Sequence, residues 1–295
     1  MLFRNATLVF SNPFRAIALV AALSFLAVPF AASAQDDEER PLGWKNSTEL
    51  GWVLTSGNSN TSNFNVRNLF AYDWEQADLD WEFGYLRASS DDDRFAVGLP
   101  GNFEIVRPDR DPDNDRLFTN IRYLRNLNER FFWYSRFEAV RDQPADIEHR
   151  YTPSVGAGNT WADREDLTFL TGYGISYTDE ELTLDGSSDY AGYQLFYNLR
   201  VQATTTTSVE SSLVFDGSFE DGSNYRFDWY NSAGVSVSDN IALKAAIRLV
   251  YRNDPALEEI DLIARPAGLG VVIGTVTVPK DKLDTSFTTS LVVNF

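Results

Sequence analysis

The chain has no cysteine and a single histidine, and its 25 basic residues are far outnumbered by 43 acidic ones. Each shortage excludes something. Without cysteine there is no disulfide framework, so an exported chain of this kind must be held by hydrogen-bonded secondary structure or by packing. Such an acid excess argues against nucleic acid as a partner, because phosphates demand basic patches. With one histidine, any His-dependent triad must use His149, which stands beside Glu148 and Arg150 where a loop enters a strand. No serine is placed near it by the sequence, and the chain is read as not an enzyme. Glycine-rich phosphate loops, zinc spacings and nucleotide-fold patterns are missing as well. Beyond residue 34 no segment approaches the run of about 18 apolar residues that a membrane-crossing helix needs. A membrane, if crossed, must be crossed by strands.

What is present begins with a leader. Arg4 and Arg15 are the only charges in residues 1–34, an apolar run fills 16–30, and Ala32-Ser33-Ala34 precedes a polar stretch at 35–40. A positive start, a short apolar stretch and a small-x-small site predict a cleaved signal peptide, residues 1–34. The apolar run falls short of the roughly 20 residues of a retained span. Losing Arg4 and Arg15 with the leader takes the formal charge from −18 to −20.

The remainder alternates with a period of two. Ile241, Leu243, Ala245, Ile247, Leu249 and Tyr251 fall on one face, with Ala242, Lys244, Ala246, Arg248 and Val250 on the other. Successive strand side chains point to opposite faces, so this is one apolar and one basic wall. The run 225–237 repeats the scheme, with Tyr225, Phe227, Trp229, Ala233, Val235 and Val237 opposite Arg226, Asp228, Tyr230, Ser232, Gly234 and Ser236. So does 191–201, where Tyr193, Leu195, Tyr197, Leu199 and Val201 oppose Gly192, Gln194, Asn198 and Arg200. Such runs predict about twelve strands: 44–55, 61–74, 79–89, 116–126, 130–140, 150–161, 167–178, 190–202, 208–219, 225–236, 241–252 and 283–295. Their length matches tilted spanning strands of roughly 9–11 residues plus overhang, whereas soluble strands average about 5–6.

The connections sharpen the reading. Every even-numbered one is tight (75–78, 127–129, 162–166, 203–207, 237–240) and the long ones are all odd-numbered, above all 90–115 and 253–282. Short periplasmic turns and longer outer loops, with both termini in the periplasm, predict that parity for an outer-membrane barrel. Under this topology residues 35–43 form a short periplasmic segment and the barrel occupies 44–295. Trp44, Trp74, Trp81, Trp133 and Trp161 then lie near periplasmic strand ends as an interfacial girdle. Phe287, Leu291, Val293 and Phe295 share one face of the last strand, and a closing aromatic there resembles the recognition signal of the outer-membrane assembly machinery. The expected fold is an all-β, antiparallel transmembrane β-barrel of the Gram-negative outer-membrane type, in contact with lipid and lipopolysaccharide.

The inward faces are polar and mixed in sign. Arg122, Arg136, Glu138, Arg200, Glu210, Arg226, Asp228, Lys244, Arg248 and Arg252 are the candidate lumen-lining residues, joined by Glu49, Arg67, Asp73, Asp80, Glu82 and Asp216. Buried charges must pair or meet water, which leaves two readings: a salt-bridged plug, or a hydrated path whose charge selects solutes. In the acidic run 109–115, Asp109, Asp111 and Asp113 place carboxylates at every second position, a spacing that suits a hard divalent cation. Pro112 interrupts it, no glycine stands at the sixth position and no glutamate at the twelfth, so a solvated loop is the competing reading. No other cofactor is expected.

Glu49-Leu50-Gly51, followed by Thr55-Ser56-Gly57-Asn58-Ser59-Asn60-Thr61 and an aromatic alternating strand, resembles the salt-induced outer-membrane proteins, number 481 among the domains of unknown function. Most of 44–295 takes part, including the terminal strand closed by Phe295. Ser59 stands where that family commonly has Thr, and the acidic segments 91–115 and 253–282 are longer than usual. The resemblance implies location and barrel architecture, and no established reaction. The expected role is structural or stress-related, with a narrow channel for ions or small solutes as the alternative and a barrel enzyme as a third reading.

Overall fold

A computed structural model of the chain describes residues 42–56, 61–89, 95–106, 113–263 and 272–295. The expected leader, 1–34, lies outside the described residues. So do Asp109 and Asp111 of the candidate cation site; Asp113 opens a strand, and its side chain is not described.

In chain order the strands are β1 (Gly43–Ser56), β2 (Thr61–Asp73), β3 (Ala77–Ser89), β4 (Phe95–Leu99), β5 (Asn102–Val106) and β6 (Asp113–Asn126). Next come β7 (Phe131–Asp142), β8 (Ile147–Arg164), β9 (Leu167–Leu182), β10 (Gly186–Gln202) and β11 (Thr207–Ser218). Last are β12 (Tyr225–Ser238), β13 (Ile241–Arg252), β14 (Leu257–Ile263), β15 (Val272–Pro279) and β16 (Leu283–Asn294). Twelve of them close into a barrel in the order β1-β16-β13-β12-β11-β10-β9-β8-β7-β6-β3-β2. The ring joins where β1 pairs antiparallel with both β2 and β16. Closure leaves no unpaired edge, so the backbone satisfies its own hydrogen bonds all round.

The two ends differ. At the turn end lie the tight connections and the two ends of the barrel segment. At the loop end β1 ends and β2 begins, β3 ends and β6 begins, and β13 ends and β16 begins. Two connections expected to be longer loops, 141–149 and 179–189, are strand for most of their length. β7 runs to Asp142, β8 starts at Ile147, β9 reaches Leu182 and β10 starts at Gly186. The strands continue past the alternating apolar zone as a paired polar rim, with Asp179 opposite both Tyr151 and Asp189. The turn between β7 and β8 closes on Asp146, which adopts φ 54°, a left-handed conformation that Asp tolerates.

The other four strands form a second sheet, in the order β15-β14-β4-β5, inside the two long connections. β4 and β5 make a hairpin, β14 and β15 another, and β4 and β14 join them in parallel, with Asp261, Leu262 and Ile263 opposite Phe95, Ala96 and Val97. Gly101, at φ 81°, lets the first hairpin turn where a side chain would be strained. This sheet has its own small core of Ala96, Ile260, Leu262 and Val278, with Phe103 and Val276 against it. It docks on the loop end. The Lys280 ammonium donates to the Pro144 carbonyl at 2.6 Å and lies 3.0 Å from Asp146, the Leu257 amide donates to Asp185 at 2.9 Å, and Ala256 packs on Ile147 and Leu182. The described parts of the two long outer connections thus form a cap.

Candidate functional site: the lumen

Polarity is inverted relative to a soluble protein. Trp44, Trp74, Trp81 and Trp161 are all exposed on the outer wall near the turn end, and Trp133 is half-buried there. Tyr72, Trp74, Tyr123 and Trp133 form a continuous belt with successive ring centroids 4.5, 6.4 and 5.4 Å apart. Towards the loop end a second belt runs through Tyr193, Phe215, Tyr225, Tyr251 and Phe227 at 5.9, 5.8, 6.0 and 5.2 Å. Between the belts the wall carries Leu50, Phe83, Ile121, Leu195 and Leu243, all exposed. On the terminal strand Phe287, Leu291 and Phe295 share this exposed face with the half-buried Val293.

The charged side chains of the expected set turn inward and meet one another. Arg67 donates to Glu82 at 2.6 Å and to Glu49 at 3.2 Å. Lys244 donates to the same Glu49 at 2.9 Å and to Glu210 at 3.2 Å, and Arg200 holds the other side of Glu210 at 3.0 Å. Arg248 grips Asp228 with Nε and Nη2, Arg122 holds Asp80 at 2.5 Å, and Glu138 sits between Arg136 at 3.2 Å and Arg150 at 3.5 Å. Arg226 lies 3.5 Å from Asp216, and Arg252 donates to both oxygens of the buried Glu180, at 3.0 and 2.5 Å. Arg200, with 70% of its side chain exposed, marks the mouth at the turn end, as does the Lys45–Asp73 pair at 2.7 Å.

Contacts between strands far apart around the ring decide what the lumen is. Arg248 on β13 stands 4.9 Å from the ring of Phe118 on β6, five places away in the ring of twelve. Arg67 on β2 donates to Tyr230 on β12 at 3.4 Å, with its guanidinium 4.9 Å from the ring, four places away. Nearer the loop end, Arg226 on β12 reaches Thr152 on β8 at 3.0 Å, and Arg252 on β13 reaches Glu180 on β9, each four places away. Nearer the turn end, Arg122 on β6 stands 5.9 Å from Phe196 on β10. Opposite walls of the barrel touch at three heights.

The sequence reading missed the apolar part of this closure. Leu124, Phe132, Tyr134 and Phe196 are buried together, with Leu170 and Val214 against them, inside the turn-end half. The wall they face is thinned by glycine. Gly156 pairs with Gly174 and Gly158 with Gly172 across β8 and β9. A methyl group at Gly172 would fall 2.2 Å from the Phe196 ring, and one at Gly158 2.2 Å from the Phe132 ring. Two Gly-x-Gly pairs on neighbouring strands were the available signal, because strand glycine marks a place where something bulky approaches closely. His149 stands at the loop-end rim, its Nδ1 3.5 Å from Glu181 and its ring 5.1 Å from Tyr151.

An apolar, aromatic-belted outer wall around a charged interior is the construction of a transmembrane β-barrel. Residues 48–265 match the family described as "Protein of unknown function, DUF481", and the chain belongs to that family. No curated protein matches it in sequence. Among solved structures it is similar to the NanC porin, at 9% identity over 83% of this chain and 98% of that one with a TM-score of 0.48. It is similar also to an outer membrane channel from Pseudomonas putida F1, at 10% identity over 90% and 100% with a TM-score of 0.46. At such identities the likeness is one of architecture.

Proposed function

We propose that this chain is an outer-membrane protein, exported by cleavage of residues 1–34, whose barrel is a closed, load-carrying element of a stress-exposed envelope rather than an open pore or an enzyme. The observation that carries the reading is the set of side chains joining strands four and five places apart in the ring. A hydrated path needs a continuous column of water, and cross-lumen pairs at three heights interrupt it. The charged interior supports the proposal in a second way. Pairing lets each buried guanidinium and carboxylate keep its charge, and ion pairs tie the walls together more directionally than leucines would. The aromatic belts support insertion in a bilayer, and the cap supports an orientation with the loop end outward, as long outer loops and short inner turns are the rule in such barrels.

Planar-bilayer recording of refolded residues 35–295 in high salt tests this. The expected result is a protein that migrates anomalously when unheated on gels, and is therefore folded, yet gives no steady conductance steps. Reproducible steps with a fixed ion selectivity would replace the closed reading with the narrow-channel one, which the many charged side chains of the loop-end half favour. Replacing Arg248 and Arg252 together separates the two again: a pore changes its conductance, a closed barrel loses stability.

A further inference from the structure

At the turn end of the outer wall, where β1, β2, β3 and β6 lie side by side, a groove of about 570 Å³ opens in the aromatic belt. Tyr72 on β2, Trp74 in the turn that follows and Tyr123 on β6 line it, with Leu42 ahead of β1. Ala77 lies in the lining opposite Arg125, and so short a side chain leaves room. The turn is held in place: the Trp74 amide donates to the Ala77 carbonyl and the Asn126 amide to the Gln76 carbonyl, each at 2.8 Å. A groove built on paired backbone is preorganised, which lowers the cost of filling it. Its volume falls within the roughly 300–1,000 Å³ of small-ligand sites.

Two charges of opposite sign stand in the lining without a counterion. Arg125 and Glu75 are both exposed, and among the described residues neither makes an ion pair or a side-chain hydrogen bond. The acid beside them is engaged, since Asp73 lies 2.7 Å from Lys45. Arg125 is therefore open to an acceptor from outside, and its fork matches the edge of a phosphate. Glu75 can take a cation, which gains further from the faces of Tyr72 and Trp74. One groove thus offers a partner to a phosphate and to an ammonium, at the height where aromatic belts meet the polar boundary of a bilayer. Towards the bilayer centre the wall continues through Phe83 and Ile121, both exposed, where acyl chains run.

We propose that this groove binds one phospholipid with a zwitterionic phosphate–ammonium headgroup, that of phosphatidylethanolamine. Arg125 holds the phosphate, and Glu75 with the Tyr72 and Trp74 rings holds the ammonium. That the lipid belongs to the periplasmic leaflet rests on the orientation proposed above; the site itself needs only the barrel in a bilayer. One lipid is then fixed on the β2–β6 side of the ring, and the rest of the surrounding lipid exchanges freely.

The test is native mass spectrometry of the full folded barrel, released from detergent micelles doped with dioleoyl phosphatidylethanolamine. The expected result is one lipid retained per barrel, with an occupancy that saturates as the lipid is raised. Dioleoylglycerol, which has the same chains and no headgroup, should leave the barrel bare, and so should soluble phosphoethanolamine. Arg125→Gln is expected to weaken retention about tenfold, or about 1.4 kcal/mol. Its urea midpoint should not move, because the side chain has no partner to lose. Glu75→Gln should weaken retention of the ethanolamine lipid and spare that of dioleoyl phosphatidylglycerol, so that the preference between the two disappears. Retention by Arg125→Gln equal to wild type overturns the proposal, as does an unsaturable ladder of adducts. Equal retention of dioleoylglycerol would make the groove a plain apolar contact, and equal binding of phosphoethanolamine a site for a soluble anion; either result refutes it. Micelles have no leaflets, so binding there is independent of orientation, and failure of one is not failure of the other.

Discussion

Gly172→Ala is the smallest change that tests whether the turn-end half of the lumen is packed solid. The new methyl carbon would stand 2.2 and 2.3 Å from two atoms of the Phe196 ring, where apolar carbons prefer about 3.5–4.0 Å. The ring must retreat by more than about 1 Å, yet Tyr134 stands edge-on to it at 4.9 Å and Phe196 is only 6% exposed. Overpacking of this kind costs about 1–3 kcal/mol. Against that, alanine loses less backbone freedom than glycine in a strand, a gain of roughly 0.5–1 kcal/mol. The packing term wins, and a net loss of about 1–2 kcal/mol is expected. Phe196→Ala alone removes the ring and costs about 3–5 kcal/mol. In that background the methyl's three closest contacts are gone, so Gly172→Ala becomes neutral or mildly stabilising. The double-mutant cycle should therefore show a coupling of about 1–3 kcal/mol. Urea titration of the barrel in lipid vesicles, scored by anomalous migration of unheated samples, measures each corner. A coupling under about 0.5 kcal/mol would mean that the ring moves aside at no cost, and that the lumen is not close-packed there.

Three further outcomes follow from the same contacts. Tyr134 buries a hydroxyl with no hydrogen-bond partner, so Tyr134→Phe should leave stability unchanged or raise it by about 1 kcal/mol in the same urea assay. Lys280→Met removes the ammonium that holds Pro144 and Asp146; limited proteolysis should cut within 253–282 about tenfold faster, while the barrel's urea midpoint barely moves. In the turn between β11 and β12, the Ser223 hydroxyl and amide donate to Asp221 at 2.7 and 2.8 Å and hold its carboxyl below the usual carboxylate range. A depressed folded-state pKa stabilises above the unfolded value and is lost as pH falls through the folded one. Wild type should therefore exceed Asp221→Ala in melting midpoint at neutral pH, and the gap should close below about pH 4.

How much of this could be read from sequence depends on which solvent each segment meets. β13 was expected at 241–252 and runs Ile241–Arg252, because one face is apolar throughout and every charge falls on the other. The rim of β8, β9 and β10 was read as loop because Asp179, Glu180 and Glu181 carry no apolar face. Beyond the apolar zone both faces of a strand can be polar, and period two disappears from the composition while the pairing continues. The cap was hidden for another reason. Leu257–Ile263 and Val272–Pro279 each look like strand material, but only tertiary placement brings Phe95–Val97 beside Asp261–Ile263. Phe196 escaped notice because the reading of its strand assigned the inner face to polar groups. Inside a closed barrel a ring is welcome wherever its partner on the neighbouring strand is glycine, as Gly172 is to Phe196 and Gly158 to Phe132.

The parallel pairing of β4 with β14 has a consequence for how the ring is held shut. The insertion that carries β4 leaves from β3 and returns to β6, and the one that carries β14 leaves from β13 and returns to β16. Between those exits, round the ring, lie only β2 and β1, and with them the β1–β16 junction where the first and last strands of the circle meet. The cap therefore acts as a clasp over the seam. Unzipping β1 from β16 sideways, the natural route for a barrel to come apart within a bilayer, would require β4 and β14 to let go as well.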